Sequence, residues 1–461
     1  MLDCPEKPED HRWRCRARAL RGPGAGALLA ALALAATGCQ GTPAGAAEVT
    51  HGKHAVATAK VTITSGNVVF TGGGTTTAAQ REGLAPTGRA ALDKRPQQGI
   101  QVSVAGGKLD SVTARTLSGK AVNGAMGASD SDWQTQWALS TSQHYRVTAT
   151  ATNTRGEKTT VSGIFATLTP GRTFTAMAEI TPGETYGVGM PIMLTFSHTI
   201  TDKAAVEKSL SVTSSKPVTG AWYWSSGTQV SFRPESYWPA HTQVSFEAHL
   251  KGVRGAAGIY GGANLSDHFT IGNSLIAIAS AANHHMKIWY KGHLEGVWPI
   301  STGRPGMDTP DGHYLSFDMG SPVDMCSCSY GVMKGNPNYY NELVYYAVQF
   351  TNSGDYIHSA PWSVGEQGFE NVSHGCVNAS PADAQWYYEH SVLGDPITVT
   401  GSPVKGTWGD GWTIWFRSWK KLLAGSATGE AVQAGPQGSQ FVPASSVASG
   451  PAPSAVSGSA H

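Results

Sequence analysis

Short runs in which apolar and polar residues alternate, each closed by a glycine-bearing turn, recur along most of this chain, and helical periodicity is scarce. Lys60-Val61-Thr62-Ile63-Thr64, Gly99-Ile100-Gln101-Val102-Ser103-Val104 and Tyr145-Arg146-Val147-Thr148-Ala149-Thr150-Ala151 follow the two-residue period of half-buried strands. Gly72-Gly73-Gly74 and Gly106-Gly107 supply turns between them. Strands at such spacing predict a mainly β protein, and 461 residues exceed one ordinary core. The first block of this kind spans 49–170, and a second, 171–272, holds strands at Pro191–Phe196, Gln229–Phe232, Gln243–Leu250 and His268–Ile271 with one helical turn between Asp202 and Leu210. Both read as immunoglobulin-like sandwiches that serve as spacers. Trp222, Trp224 and Trp238 suit packing better than carbohydrate stacking. A net charge of +1, with 14% charged residues, leaves no electrostatic footprint for nucleic acid.

The amino terminus reads as an export signal, with a basic region through Arg12, Arg14, Arg16, Arg18 and Arg21 and then an apolar run from Gly24 to Ala36. That run is too short to span a bilayer. It ends in Ala36-Thr37-Gly38-Cys39, which resembles the bacterial lipoprotein cleavage box. Residues 1–38 are then a signal peptide, Cys39 the lipidated first residue and 39–48 a tether, which predicts an exported protein anchored at the outer face of the cell membrane. Ordinary secretory cleavage with Cys39 incidental is the alternative.

The third block, 273–405, holds the chemistry. Ser274–Ala279 and Lys287–Tyr290 predict an opening hairpin, and Glu342–Phe350 and Asp355–His358 predict strands. Ser373-His374-Gly375-Cys376-Val377-Asn378 places a cysteine in a polar, glycine-bearing turn, with His358 eighteen residues upstream. A thiol attacks as thiolate, and a neighbouring imidazole can take its proton. A turn through Gly375 would aim backbone N–H groups at whatever the sulfur attacks. Ser380-Pro381-Ala382-Asp383 then carries an N-cap, a first-turn proline and an acidic residue, which predicts a helix start. Trp408, Trp412, Trp415 and Trp419 lie at helical spacing and predict a small Trp-rich subdomain over 406–424. From 425 to 461 Ser, Gly, Ala and Pro dominate, which predicts a disordered tail.

The turn Ser373–Asn378, preceded by His358-Ser359-Ala360-Pro361-Trp362-Ser363, resembles the signature of the L,D-transpeptidases, bacterial cell-wall enzymes. Gly187-Val188-Gly189-Met190-Pro191-Ile192 and Phe232-Arg233-Pro234-Glu235-Ser236-Tyr237-Trp238-Pro239 resemble the membrane-anchored branch with two immunoglobulin-like domains. The resemblance implies Cys376 as nucleophile, His358 as base and the Ser359 carbonyl as the group orienting the imidazole. It implies oxyanion donors at Gly375 and Tyr340, and substrate contacts at Tyr340, Ser353, Gly354, His374 and Asn378. The partners implied are peptidoglycan stem peptides: a donor tetrapeptide loses terminal D-Ala and is joined through its third residue to the side-chain amine of a neighbouring stem, a 3→3 cross-link. Carbapenem β-lactams are implied as acylating inhibitors. No cofactor or metal is expected.

Other readings remain beside it. Water in place of the amine would make the enzyme an L,D-carboxypeptidase, and a lipid-tethered adhesin would explain the β blocks but leave His358 and Cys376 without purpose. Cys326, Cys328, His374 and Cys376 could count as a zinc set, although their spacing is unusual for one. Cys326 could equally pair with Cys328, or either of them with Cys376.

Overall fold

The computed structural model describes residues 58–73 and 90–446, so the export segment and Cys39 lie outside the described residues. The alternating runs form the strands their period predicts. In the first block a five-stranded sheet, in the order Val68–Gly72, Lys60–Ser65, Ile100–Ala105, Asp132–Thr135, Gly124–Met126, accompanies a four-stranded one of Ala91–Asp93, Lys158–Thr167, His144–Asn153 and Gly107–Thr116. Inward residues of both sheets, among them Val61, Ile63, Val102, Trp133, Val147 and Phe165, share one core. Along His144–Asn153 every second residue from Tyr145 onward is buried, as the sequence alternates.

The second block is a sandwich whose larger sheet has six strands, in the order Ala176–Ala178, Ile192–Phe196, Gln229–Pro234, Val218–Trp224, Glu430–Gly435, Gly438–Pro443. Trp222 and Trp238 are fully enclosed and Trp224 nearly so, so all three are packing residues. The single helical turn is α1, Lys203–Glu207.

The last two strands of that sheet correct the expectation of a disordered tail. Residues 430–443 form a hairpin that pairs antiparallel with Val218–Trp224, with Val218 opposite Ala434 and Gly220 opposite Val432. Ala431, Val432 and Ala434 are buried there. The hairpin adds to an open sheet edge, so partners already in place supply the hydrogen bonds and apolar cover that its own composition lacks. Its approach is held by Glu207, which is fully buried at the end of α1. That carboxylate accepts from Trp224 Nε1 (2.9 Å), the Ala427 N–H (2.8 Å), Thr428 Oγ1 (2.8 Å) and the Ser426 hydroxyl. Hydrogen bonds to a charged group contribute about 1.5–3 kcal/mol each. Glu207→Ala is therefore expected to cost roughly 3 kcal/mol or more and to make residues 425–443 the first site of proteolysis, read by thermal unfolding and by mass analysis of limited digests.

The third block is organised on a sheet in the order Gly312–Leu315, Pro396–Thr400, Leu275–Ser280, His285–Tyr290, His293–Ser301, Val377–Ala379, Tyr356–Ser359, Asn341–Gln349, Asp318–Gly320, with Val323–Cys326 also paired to Asn341–Gln349. Leu275–Ser280 and His285–Tyr290 are the predicted hairpin. Helix α2, Pro381–His390, starts where the sequence places it, and the Ser380 hydroxyl oxygen accepts from the Asp383 N–H at 3.2 Å. The tryptophan stripe is not one helix. Gly409 and Gly411 take φ of 89° and 92°, Trp415 lies in a 3₁₀ turn, and α3, Trp419–Ala424, begins only after the Ser418 cap. Trp415 still joins the segment to the second sandwich: its Nε1 donates to the Gly189 carbonyl (2.8 Å), the Arg233 guanidinium lies 4.1 Å over its ring, and Tyr237 meets its edge.

Candidate active site

Two short strands place the candidate nucleophile and base. Tyr356–Ser359 runs parallel to Val377–Ala379, with Ile357 opposite Val377 and His358 opposite Asn378. Cys376 lies two positions before Asn378, so strand alternation brings its side chain to the face that carries His358. Both line one cavity of about 220 Å³ with Met325, Tyr340, Glu342, Trp362, Val372, Ser373, His374 and Asn378. The turn before Cys376 needs glycine. Gly375 has φ of 133°, and a Cβ there would lie 2.4 Å from Asp355 Oδ1.

The base has a defined tautomer. His358 is buried, and its Nδ1 lies 2.9 Å from the Ser359 carbonyl oxygen. A carbonyl only accepts, so Nδ1 carries the proton and Nε2 keeps its lone pair. Burial pushes the His358 pKa down to about 4, against a weaker upward effect of the Ser359 carbonyl. The ring is neutral at physiological pH. The Cys376 thiol is pushed up to about 12, mainly by burial and further by the charges of Asp355 and Glu342. It points at the Gly354 carbonyl oxygen, 3.6 Å from the sulfur. The resting pair is thus thiol and neutral imidazole, because burial disfavours the charged form of each. Alkylation of Cys376 by a small neutral reagent is expected to accelerate with pH through pH 9, without the plateau above pH 6–7 that a preformed thiolate–imidazolium pair gives. Rates between pH 5 and 10, with mass analysis of the labelled residue, decide between them.

The other expected residues sort by place. Ser359 holds the imidazole through its carbonyl. Tyr340 and His374 face each other with ring centroids 4.8 Å apart, in the cavity wall. Asn378 lines the cavity and donates from Nδ2 to Ser363 Oγ at 3.0 Å. The Gly375 N–H donates to Ser373 Oγ (3.1 Å), and its carbonyl accepts from the Thr309 hydroxyl, so both of its backbone groups are engaged within the fold. Gly354 meets the thiol, whereas Ser353 turns to Asp410, whose carboxylate accepts from the Ser353 N–H and hydroxyl at 2.8 Å each. The segment that contains the tryptophans thereby holds the turn under the nucleophile. Cys326 and Cys328 are joined to each other and Cys376 is free, so the pairings that would consume the nucleophile are not formed and the proposed zinc set is broken up.

Sequence reasoning gave no role to Met325, Glu342 or Val372, which reach the cavity through strand pairing and loop placement that only the fold reveals. Asp355 was also missed. It sits beneath Gly375, burial raises its pKa to about 6, and it accepts from the Thr351 hydroxyl at 2.8 Å.

Comparison with known proteins agrees with this layout. A family model described as a bacterial Ig domain matches residues 91–254, across parts of both sandwiches, and one described as the L,D-transpeptidase catalytic domain matches 274–399. L,D-transpeptidase 2 of Mycobacterium tuberculosis (strain CDC 1551 / Oshkosh) is 35% identical over 331 residues, 71% of this chain and 80% of that protein. L,D-transpeptidase 5 of Mycobacterium tuberculosis (strain ATCC 25618 / H37Rv) is 30% identical over 352 residues, 73% of this chain and 75% of that one. A crystal structure of L,D-transpeptidase 3 from Mycobacterium tuberculosis, in complex with a faropenem-derived adduct, is 34% identical, with 49% of this chain and 97% of that chain covered and a TM-score of 0.41.

Proposed function

The chain belongs to the L,D-transpeptidase family, and from that premise we propose that it cross-links peptidoglycan through an acyl-enzyme on Cys376. The observation that carries the assignment of residues is the tautomer of His358: its Nδ1–H is held by Ser359, so Nε2 is the acceptor in the cavity that Cys376 shares. As a donor stem docks, the Cys376 proton passes to Nε2 and the sulfur attacks the carbonyl of the third residue. Holding the proton on sulfur until then avoids forming a buried ion pair before the substrate arrives. The tetrahedral oxyanion is met by the Tyr340 hydroxyl and the backbone N–H of Cys376. Gly375 shapes this turn rather than donating, because its own N–H goes to Ser373. Collapse breaks the amide, the imidazolium returns its proton to the departing D-Ala amine, and a thioester remains. The side-chain amine of a neighbouring stem then attacks the thioester and gives its proton to His358, which forms the 3→3 link and frees the thiol.

His374, Asn378 and Gly354 are proposed to shape the donor side of the cavity. The side chain of Ser353 is engaged by Asp410, so its contribution is to fix the Gly354 turn. A strained cyclic amide offers the same carbonyl to the same thiol, so carbapenems are proposed as acylating inhibitors. Cys39 is proposed as a lipidated residue that tethers the protein at the outer face of the membrane, and no helix among the described residues is long and apolar enough to cross a membrane. Incubation of the purified chain with a single tetrapeptide stem tests the reaction. A cross-linked dimer with release of D-Ala is the expected product. Tripeptide alone would mean that water is the acceptor, and no turnover of stem would overturn the reading.

A further inference from the structure

A structural device stands beside the cavity in the two cysteines that the mechanism does not use. Cys326 and Cys328 are bonded across a single residue, Ser327, in the turn Ser327–Tyr330 that follows the strand Val323–Cys326. Ser327 is buried, and it grips the backbone of Tyr340 from both sides. Its N–H donates to the Tyr340 carbonyl (3.1 Å), its hydroxyl oxygen accepts from the Tyr340 N–H (3.0 Å), and its hydroxyl proton lies between the carbonyls of Val332 (3.0 Å) and Tyr340 (3.2 Å). The next ladder pairs put Cys326 opposite Asn341 and Met325 opposite Glu342. Met325 and Tyr340 both line the cavity, and Met325 belongs to a small apolar cluster with Val344 and Ala347 against which Tyr340 and Cys376 both pack.

We propose that the Cys326–Cys328 bridge positions Tyr340 through Ser327, and thereby makes acylation of Cys376 sensitive to the redox state of a bond outside the reaction. A ring closed over one intervening residue leaves the Ser327 backbone few conformations. Three hydrogen bonds transmit that restriction to Tyr340, and the Tyr340 ring transmits it to the wall facing His374. Opening the bridge lets the turn sample other conformations and loosens Tyr340 and Met325 together. Tyr340 and Ser327 have different parts here: Tyr340 meets the substrate and Ser327 positions it. The inference rests on the reading of Cys376 as the acylated nucleophile.

Both cysteines are half-buried rather than enclosed, which leaves the bridge open to a small reductant. A water-soluble phosphine does so without adding a competing thiol. Phosphorus attacks one sulfur, the S–S bond breaks, and water hydrolyses the phosphonium to phosphine oxide while two protons go to the two thiolates. Cys376, already a thiol, is unchanged. The experiment is the single-turnover rate of Cys376 acylation by a carbapenem, followed by intact mass, with and without prior phosphine and with the bridge state verified by alkylation. The wild type is expected to slow about tenfold on reduction, as a displaced substrate-contacting side chain would cause. Cys326→Ser/Cys328→Ser should match the reduced wild type and ignore phosphine, and Ser327→Ala should be slow with its bridge intact. In Tyr340→Ala, reduction should add little, because the group through which the bridge acts is gone. Equal wild-type rates in both states would overturn the proposal, as would a slowing of Tyr340→Ala as large as that of the wild type. If the double cysteine variant does not fold, the redox comparison in wild type and Tyr340→Ala decides alone. Acylation absent in both redox states would overturn the assignment of Cys376 as well, whereas equal, measurable rates overturn only the role of the bridge.

Discussion

Cys376→Ala is expected to abolish both cross-linking and carbapenem adduct formation while leaving the fold intact. Cys376 is the free cysteine among the described residues, since Cys326 and Cys328 are bonded to each other. The hydroxyl of Ser373, which shares the cavity, cannot replace it. Ser373 Oγ accepts from the Gly375 N–H and donates to the Cys376 carbonyl at 2.6 Å, so it is bound into the turn it caps. The Cys376 thiol meets the Gly354 carbonyl oxygen at 3.6 Å and the backbone of Tyr356, and alanine removes one sulfur atom from a small apolar cluster, a loss the fold withstands. Intact mass after incubation with a carbapenem, beside thermal unfolding of both proteins, is the check. An adduct on the folded alanine variant would place the nucleophile elsewhere.

His358→Ala is expected to lower the acylation rate by about 10²- to 10⁴-fold, the usual contribution of a positioned general base. Its pH profile distinguishes that role from a packing role. In the wild type the base is competent while neutral. Its pKa is depressed by burial to about 4, so activity should persist as pH falls through 6.5 and be lost only as it approaches 4, when Nε2 gains a proton. In the variant that acid limb should vanish and the residual rate should climb with pH, because it then depends on the thiolate fraction of Cys376, whose pKa lies near 12. An unchanged acid limb in the variant would assign it to another group, with Asp355, raised to about 6, the first to examine.

The parts of the site written in local sequence were legible in advance. His374-Gly375-Cys376 declared a turn, and Ser380-Pro381 declared the helix behind it, because glycine φ preference and N-cap chemistry act over a few residues. What stayed hidden depends on partners remote in the chain. Met325 and Glu342 enter the cavity because the strands Val323–Cys326 and Asn341–Gln349 pair. Ser353 is claimed by Asp410, 57 residues later. The hairpin at 430–443 carries the composition of a disordered tail and becomes ordered because the second sandwich offers it an edge and Glu207 offers it an anchor. The tryptophan stripe misled for a local reason: two glycines at positive φ break the period its spacing suggests.

That hairpin sets a schedule for the growing polypeptide. The strand Val218–Trp224 emerges from the ribosome long before Glu430–Gly435, and the entire catalytic block is made in between. The second sandwich is therefore a discontinuous domain with the enzyme inserted in it, and its larger sheet cannot be completed until the hairpin has been synthesised. Domains made early tend to fold early, yet this one must wait with an unpaired strand edge, the feature by which nascent chains associate with one another. A premature stop between α3 and the hairpin would leave the catalytic block whole and that edge permanently bare. The hairpin thus acts as a seal, closing an edge that the rest of the sandwich leaves open.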